Sequence, residues 1–176
     1  KIGGWARISG STFSGVCRSL WSWVTLSGVK LVGVGTHLKF YLERGGFYSD
    51  ITPIRATTTN AATFSATNGS TTITVTDSSH GASVGDFVTF SSAVSLGGVI
   101  TASILNAEHQ IVEVTNANTY TFTSSVAANS SDSGNGGSAT DAAYQISVGL
   151  SIEVPVTGFV SGTWGSGTWG YGTPGA

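Results

Sequence analysis

Residues 71–90 read TTITVTDSSHGASVGDFVTF, and residues 105–122 read LNAEHQIVEVTNANTYTF. In both segments apolar residues alternate with polar ones, which is the period-two pattern of a strand with one buried face and one face in water. The alternation predicts four short strands, whose buried positions would be Ile73 and Val75, Val88 and Phe90, Val112 and Val114, and Tyr120 and Phe122. Four strands of this length, joined by turns at Gly81, Gly85 and Asn116–Asn118, predict an antiparallel barrel or sandwich.

The order of these segments resembles a small β-barrel module named for the first-catalytic-cysteine half-domain of ubiquitin-activating enzymes, which recurs in structural proteins of tailed bacteriophages. The resemblance is carried by His80-Gly81, Val84–Phe90, Leu105–His109 and Asn118–Phe122. Ala107 stands where the family often has Gly, and residues 91–104 form a longer excursion than the motif needs. The resemblance implies a non-catalytic scaffold module, and the catalytic-cysteine domain of ubiquitin-activating enzymes has no counterpart in this sequence.

A β-meander is predicted upstream, from residue 20 to residue 52. Its strands would be Leu20–Leu26, Lys30–Thr36, Leu38–Leu42 and Phe47–Thr52, with turns at Ser27-Gly28 and Gly45-Gly46. Such a unit resembles a single blade of a β-propeller, and residues 18–55 also resemble the opening of large phage tail proteins. One blade buries only part of its surface alone. Further blades or neighbouring subunits are therefore expected.

The expected organisation is all-β, with an antiparallel, propeller-blade-like meander, an inserted small β-barrel module and a Gly/Trp-rich C-terminal extension. The predicted divisions are residues 1–56 for the meander, 57–127 for the barrel module, 128–160 for a flexible loop and return strand, and 161–176 for the extension. The extension repeats the pentad SGTWG and then continues as YGTPG. Glycine at this density has a high ordering cost, so contact with other protein is expected to hold the aromatic residues.

Composition excludes several classes of function. Only 9% of residues are charged and the net charge is −2, so no basic surface for nucleic acid is expected. No apolar run approaches the ~18 residues of a membrane span. Cys17 is the single cysteine, which excludes an internal disulfide, and a role as a small apolar filler is expected. The chain begins with Lys and contains no Met, which favours a fragment of a longer polypeptide over a processed product.

Catalytic and metal sites are not predicted. The three histidines, His37, His80 and His109, lack metal-site spacing. Glu108 and His109 are adjacent in a predicted strand and would point to opposite faces. A Ca²⁺ site between Asp77 and Asp86 is disfavoured because no D-x-D run or bidentate Glu accompanies them. No cofactor is expected.

The function predicted from these observations is a non-enzymatic virion structural protein, a tail or nozzle component of a tailed phage. Its expected partners are copies of itself in a ring-like homo-oligomer and other tail or connector proteins. The alternative is a receptor-facing adhesin that binds glycans, since exposed Trp on a charge-poor β scaffold is a platform for sugar rings. The candidate contact residues for either role are Trp21, Trp23, Trp164, Trp169 and Tyr171.

Overall fold

The computed structural model describes residues 10–148. Within this range the chain is all-β, as the sequence predicts: twelve strands form two antiparallel sheets, and the helix α1 (Ala102–Leu105) has four residues. No helix in this part of the chain is long and apolar enough to cross a membrane. The repeat pentads, with Trp164, Trp169 and Tyr171, lie outside the described residues.

The first sheet is a four-stranded meander, at the place in the chain where the sequence predicts one. Its strands pair in chain order: β1 (Cys17–Val24), β2 (Lys30–Thr36), β3 (Phe40–Arg44) and β4 (Phe47–Asp50). Gly45 and Gly46 make the turn between β3 and β4 with φ of 60° and 91°, a conformation that residues with a side chain rarely adopt. The short turns return each strand beside the one before it.

The second sheet contains eight strands: β5 (Ile54–Thr58), β6 (Thr63–Ala66), β7 (Thr72–Thr76), β8 (Phe87–Ser91), β9 (Glu108–Asn116), β10 (Thr119–Thr123), β11 (Asp132–Asn135) and β12 (Asp141–Gln145). Their spatial order is β11-β6-β7-β10-β9-β8-β12-β5. This order has two ends, so residues 10–148 form no closed barrel, and the predicted barrel is corrected to an open sheet. The alternation in the four motif strands could not show that four further strands extend the sheet on both sides.

Val112 corrects a second expectation, because it is 55% exposed whereas Ile111 is buried. Tyr120 of β10 lies opposite Val114. Two residues later Phe122 lies opposite Ile111, three positions back along β9. The register therefore skips Val112, which is the extra residue of a β-bulge. A bulge changes the phase of the alternation, so the strand buries Ile111 in place of Val112.

The core of the second sheet extends beyond the motif. Six of the predicted core positions are buried, namely Ile73, Val75, Val88, Phe90, Tyr120 and Phe122, and Val114 is half-buried against them. Phe64 from β6 and Tyr144 from β12 are fully buried in the same cluster. The ring of Phe64 meets that of Phe90 edge-on, with centroids 4.9 Å apart. Residues 71–122 thus share their core with strands on either side of them in sequence.

Replacement of Phe90 by Ala should lower the free energy of unfolding by about 3–5 kcal/mol, because it removes a 2% exposed ring from between other aromatic rings. Urea denaturation of the two proteins measures the difference. Val112→Ala, at an exposed position, is the control and should change stability by less than about 0.5 kcal/mol. A loss below about 1 kcal/mol for Phe90→Ala would place that ring outside the core.

Candidate functional site

One face of the meander carries six apolar side chains that are exposed or half-buried. Every second residue of a strand points to the same side of its sheet, and the registers of β1 to β4 align these positions across the four strands. We call this surface the apolar face. It consists of Trp21, Trp23, Leu31, Phe40, Leu42 and Phe47.

Exposure is greatest on the two outer strands, where Trp21 is 73% and Phe47 74% exposed. Trp23 is only 38% exposed because its ring lies against Gly33 of the neighbouring strand. A Cβ added at Gly33 would come 3.3 Å from Trp23 Cζ3. Among the residues that the registers place on this side of β1 to β4, only Arg44, at the margin, is charged. The face is therefore apolar and almost uncharged.

The opposite face of the meander is packed at β2 and β3, where Val34 and Tyr41 are buried. It is open at β1, where Leu20 is 66% and Val24 60% exposed. Phe13, which precedes β1, packs its ring against Tyr41 and Tyr48 with centroid distances of 5.9 and 5.0 Å. The backbone N–H of Ser14 donates to the Tyr41 hydroxyl at 3.1 Å. The opposite face is thus packed over its central strands, while the apolar face points away from that cluster.

Lys39 joins the meander to the second sheet. It follows β2 and is 2% exposed. Its Nζ donates to Asp50 Oδ2 at 2.6 Å and to Glu108 Oε1, on β9, at 2.5 Å. Gln145 Nε2, at the end of β12, donates to the same Glu108 oxygen at 2.8 Å. The ammonium also lies 4.3 Å from the centre of the Phe87 ring. A buried cation between carboxylates of the two sheets holds the meander in place against the second sheet.

The ion pair shifts the pKa values of two of its members. Burial alone would lower the pKa of Lys39, but hydrogen bonds to Asp50 and Glu108 outweigh it and raise the pKa above its usual value. Burial would likewise raise the pKa of Asp50. The bonds from Lys39 and Thr52 outweigh that effect and hold the pKa of Asp50 below its usual value. Both groups are therefore held in their charged forms.

A cavity of about 160 Å³ lies beside this junction. Arg18 and His37 of the meander line it together with Phe87 of β8. Val148, where the described chain ends, lines it too. The chain therefore leaves the second sheet next to the start of β1.

A second polar cluster lies inside the core of the larger sheet. Asp77 is 1% exposed, and its Oδ2 accepts hydrogen bonds from the Tyr144 hydroxyl at 2.6 Å and the Thr58 hydroxyl at 2.5 Å. The Tyr120 hydroxyl lies 3.0 Å from that of Tyr144. Burial is the main cause that raises the pKa of both tyrosines, so both hydroxyls keep their protons at neutral pH. The cluster therefore links β5, β10 and β12 to the end of β7.

The histidines have structural partners. His80 is buried with its ring 4.8 Å from that of Tyr120, and its Nδ1 accepts from the Ala82 N–H. His109 stacks on Phe122 at 3.9 Å. Burial lowers the pKa of His109, and the carbonyls of Leu105 and Ile104 offset part of that shift. These positions explain His80 and His109 as packing residues of the core, while Glu108 belongs to the ion pair with Lys39.

The remaining candidates for chemistry are dispersed. The Asp86 carboxylate accepts a hydrogen bond from the Ser83 N–H at 2.9 Å and so closes its own turn. Cys17 is exposed, which corrects its expected role as a filler of the core. Within residues 10–148 no three His, Cys, Asp or Glu side chains are grouped closely enough to hold a metal ion.

The structure brings Trp21 and Trp23 onto one face, as their two-residue spacing implies. It adds Phe40, Leu42 and Phe47, which the sequence analysis did not single out. Phe40 and Leu42 alternate along β3, a pattern that predicts a shared face, whereas Phe47 on β4 has no such pattern. The Lys39–Glu108 pair had no such signal, because its members are 69 residues apart.

The described residues thus define an all-β protein whose exposed apolar face is attached to a larger sheet through a buried ion pair. No family model matches the chain, and no curated protein matches it. Among solved structures it is similar to a phage phi92 endosialidase, with 21% sequence identity and a TM-score of 0.44. The similarity covers 74% of this chain and 17% of that one, so the chain spans less than a fifth of the endosialidase.

The junction should weaken in acid. A carboxylate whose folded pKa is lowered contributes stability above its unfolded pKa and loses it as the pH falls through the folded value. Stability at the junction should therefore decline below a pH of about 4. Unfolding free energies of the parent and of Asp50→Asn, measured from pH 7 to pH 2, should converge in acid. Glu113→Gln, at an exposed position of β9, is the control and should track the parent.

The two core tyrosines should respond unequally to loss of the hydroxyl. Tyr144→Phe removes a donor from the buried Asp77 carboxylate and should cost about 1–3 kcal/mol of unfolding free energy. Tyr120→Phe removes only the bond to Tyr144 and should cost about 0.5–1.5 kcal/mol. Thermal and urea unfolding of the two variants and of the parent measure both losses. A larger loss for Tyr120→Phe than for Tyr144→Phe would contradict the arrangement in which Tyr144 donates to Asp77.

Proposed function

We propose that this chain belongs to a non-enzymatic virion structural protein of a tailed phage, a tail or nozzle component, and that it acts in assembly. Its copies associate in a ring-like homo-oligomer, which also contacts other tail or connector proteins. The single observation that carries the proposal is the apolar face, with Trp21 and Phe47 about three-quarters exposed.

Contiguous exposed apolar surface on a folded chain marks sites of contact with other protein. Aromatic residues with little charge around them are the composition of interface centres. Here the aromatic residues stand on paired strands of a sheet whose other face is packed at β2 and β3. Such a face is pre-organised, so little conformational entropy is lost when a partner covers it.

Assignment to a phage tail rests on the sequence, through the resemblance of residues 18–55 to the opening of tail proteins and of the motif strands to a virion module. The structure supports a non-catalytic role in a different way. His80, His109, Asp77 and Asp86 have hydrogen-bond partners in packed or turn regions, where they stabilise the fold.

Glycan binding is the second candidate function. The observation that favours it is the pair Trp21 and Trp23, two indoles on one face with two-residue spacing, which stand about 7 Å apart along a strand. An adhesin would use these rings to stack sugars. The other four members of the apolar face extend the surface across all four strands, which favours a protein partner over a sugar chain.

The test is the double variant Trp21→Ser, Phe47→Ser in the full chain. Loss of a large aromatic contact from an interface costs about 2 kcal/mol, so association should weaken at least about 30-fold, as measured by sedimentation equilibrium. The matched control is Val84→Ser with Val112→Ser, which removes two exposed apolar side chains from outside the apolar face.

Association that is unchanged in the Trp21 and Phe47 variant and weakened in the control would overturn the proposal. Unchanged association combined with loss of binding to a polysaccharide panel would favour the adhesin. The thermal midpoints of both variants should stay close to that of the parent, because the substituted side chains are exposed.

A further inference from the structure

We propose that the Trp-bearing pentads of one copy, residues 161–172, dock onto the apolar face of the next copy. This inference rests on the proposed function, because it names the partner segment at the same surface. Other occupants, a second apolar face or the pentads of the same molecule, are outcomes of the test.

The chemistry of the two surfaces matches. The segment from residue 161 to residue 176 contains no charged residue, and its large side chains are Trp164, Trp169 and Tyr171. The apolar face is aromatic and aliphatic, with Arg44 at its margin. Aromatic rings packed edge-on or offset on one another gain free energy beyond the area that they bury. A segment with these side chains gains little from contact with the charged parts of a surface.

The symmetry of a ring favours one of these occupants of the apolar face over the others. Contact of an apolar face with a second apolar face uses the same patch on both copies, which is isologous and ends at a pair. A ring needs a heterologous contact, in which two different patches meet and each copy offers both. The pentads and the apolar face are two different patches on the same chain. Their contact can therefore repeat from copy to copy and close.

The segment can reach a neighbour. The described chain ends at Val148, beside Arg18 at the start of β1. Residues 149–160 lie between this point and the first pentad, and twelve extended residues span about 40 Å. A globular unit of the size of the described region has a radius of gyration of about 14 Å. The connection is therefore long enough to pass from one molecule to the next.

The test is a complementation experiment with two variants of the full chain. One carries Trp21→Ser and Phe47→Ser and so has the pentads but lacks the two most exposed side chains of the apolar face. The other ends at residue 160 and so has the apolar face but no pentads. Each alone should be monomeric, and an equimolar mixture should form a 1:1 complex of about twice the mass of one chain in sedimentation velocity. The parent should form larger oligomers.

The alternatives give different patterns. If the shortened chain associates by itself as the parent does, the pentads are not the partner, although the proposed function stands. If the parent is monomeric while the mixture forms the 1:1 complex, the pentads bind their own molecule and the inference is wrong. A monomeric parent and a monomeric mixture would overturn both proposals.

A direct binding measurement tests the contact without relying on the Trp21 and Phe47 variant. A fluorescently labelled peptide of residues 161–176 should bind the shortened chain, as followed by anisotropy. The same peptide with Trp164→Ser and Trp169→Ser should bind at least about 30-fold more weakly. Equal binding of the two peptides would show that the indoles do not make the contact and would overturn the inference.

Discussion

Lys39 is a buried cation held between two carboxylates, and the placement of the apolar face depends on it. Two charges removed from water are costly, so such a pair is stable only where geometry and further hydrogen bonds compensate. Asp50 comes from the meander and Glu108 from the larger sheet, with Gln145 bonded to the same Glu108 oxygen. Loss of one partner would leave a buried charge. The junction therefore favours one relative position of the two sheets over others.

A similar constraint acts within the larger sheet. Asp77 follows β7, and its carboxylate accepts hydrogen bonds from the hydroxyls of Tyr144 on β12 and Thr58 on β5. Apolar packing alone is satisfied by many arrangements of similar volume. A buried carboxylate is stabilised only when donors reach it, as both hydroxyls do at Asp77 Oδ2. We infer that Asp77 helps to select the pairing of the outer strands, which buried apolar residues would leave less well defined.

Local features of this fold could be predicted from the sequence, and long-range ones could not. Alternation is a property of neighbouring residues, so it identified Phe90, Tyr120 and Phe122 as core and located the meander. The bulge at Val112 was missed because a phase change in a strand depends on its partner strand. For the candidate site, the same-face positions of Trp21 and Trp23 followed from spacing. The Lys39 junction depends on contacts across 69 residues, which no local pattern reveals.

The pairing of β5 with β12 also has a consequence during synthesis. Thr58 lies opposite Ala142, more than 80 residues later in the chain. At about 5–20 residues per second, a ribosome needs roughly 4–17 s to extend the chain from one to the other. Until then the core side of β8, including Phe90, lacks the neighbouring strand that carries Tyr144. The nascent chain thus exposes aromatic surface for seconds, a period in which chaperones or a co-assembling copy can bind it.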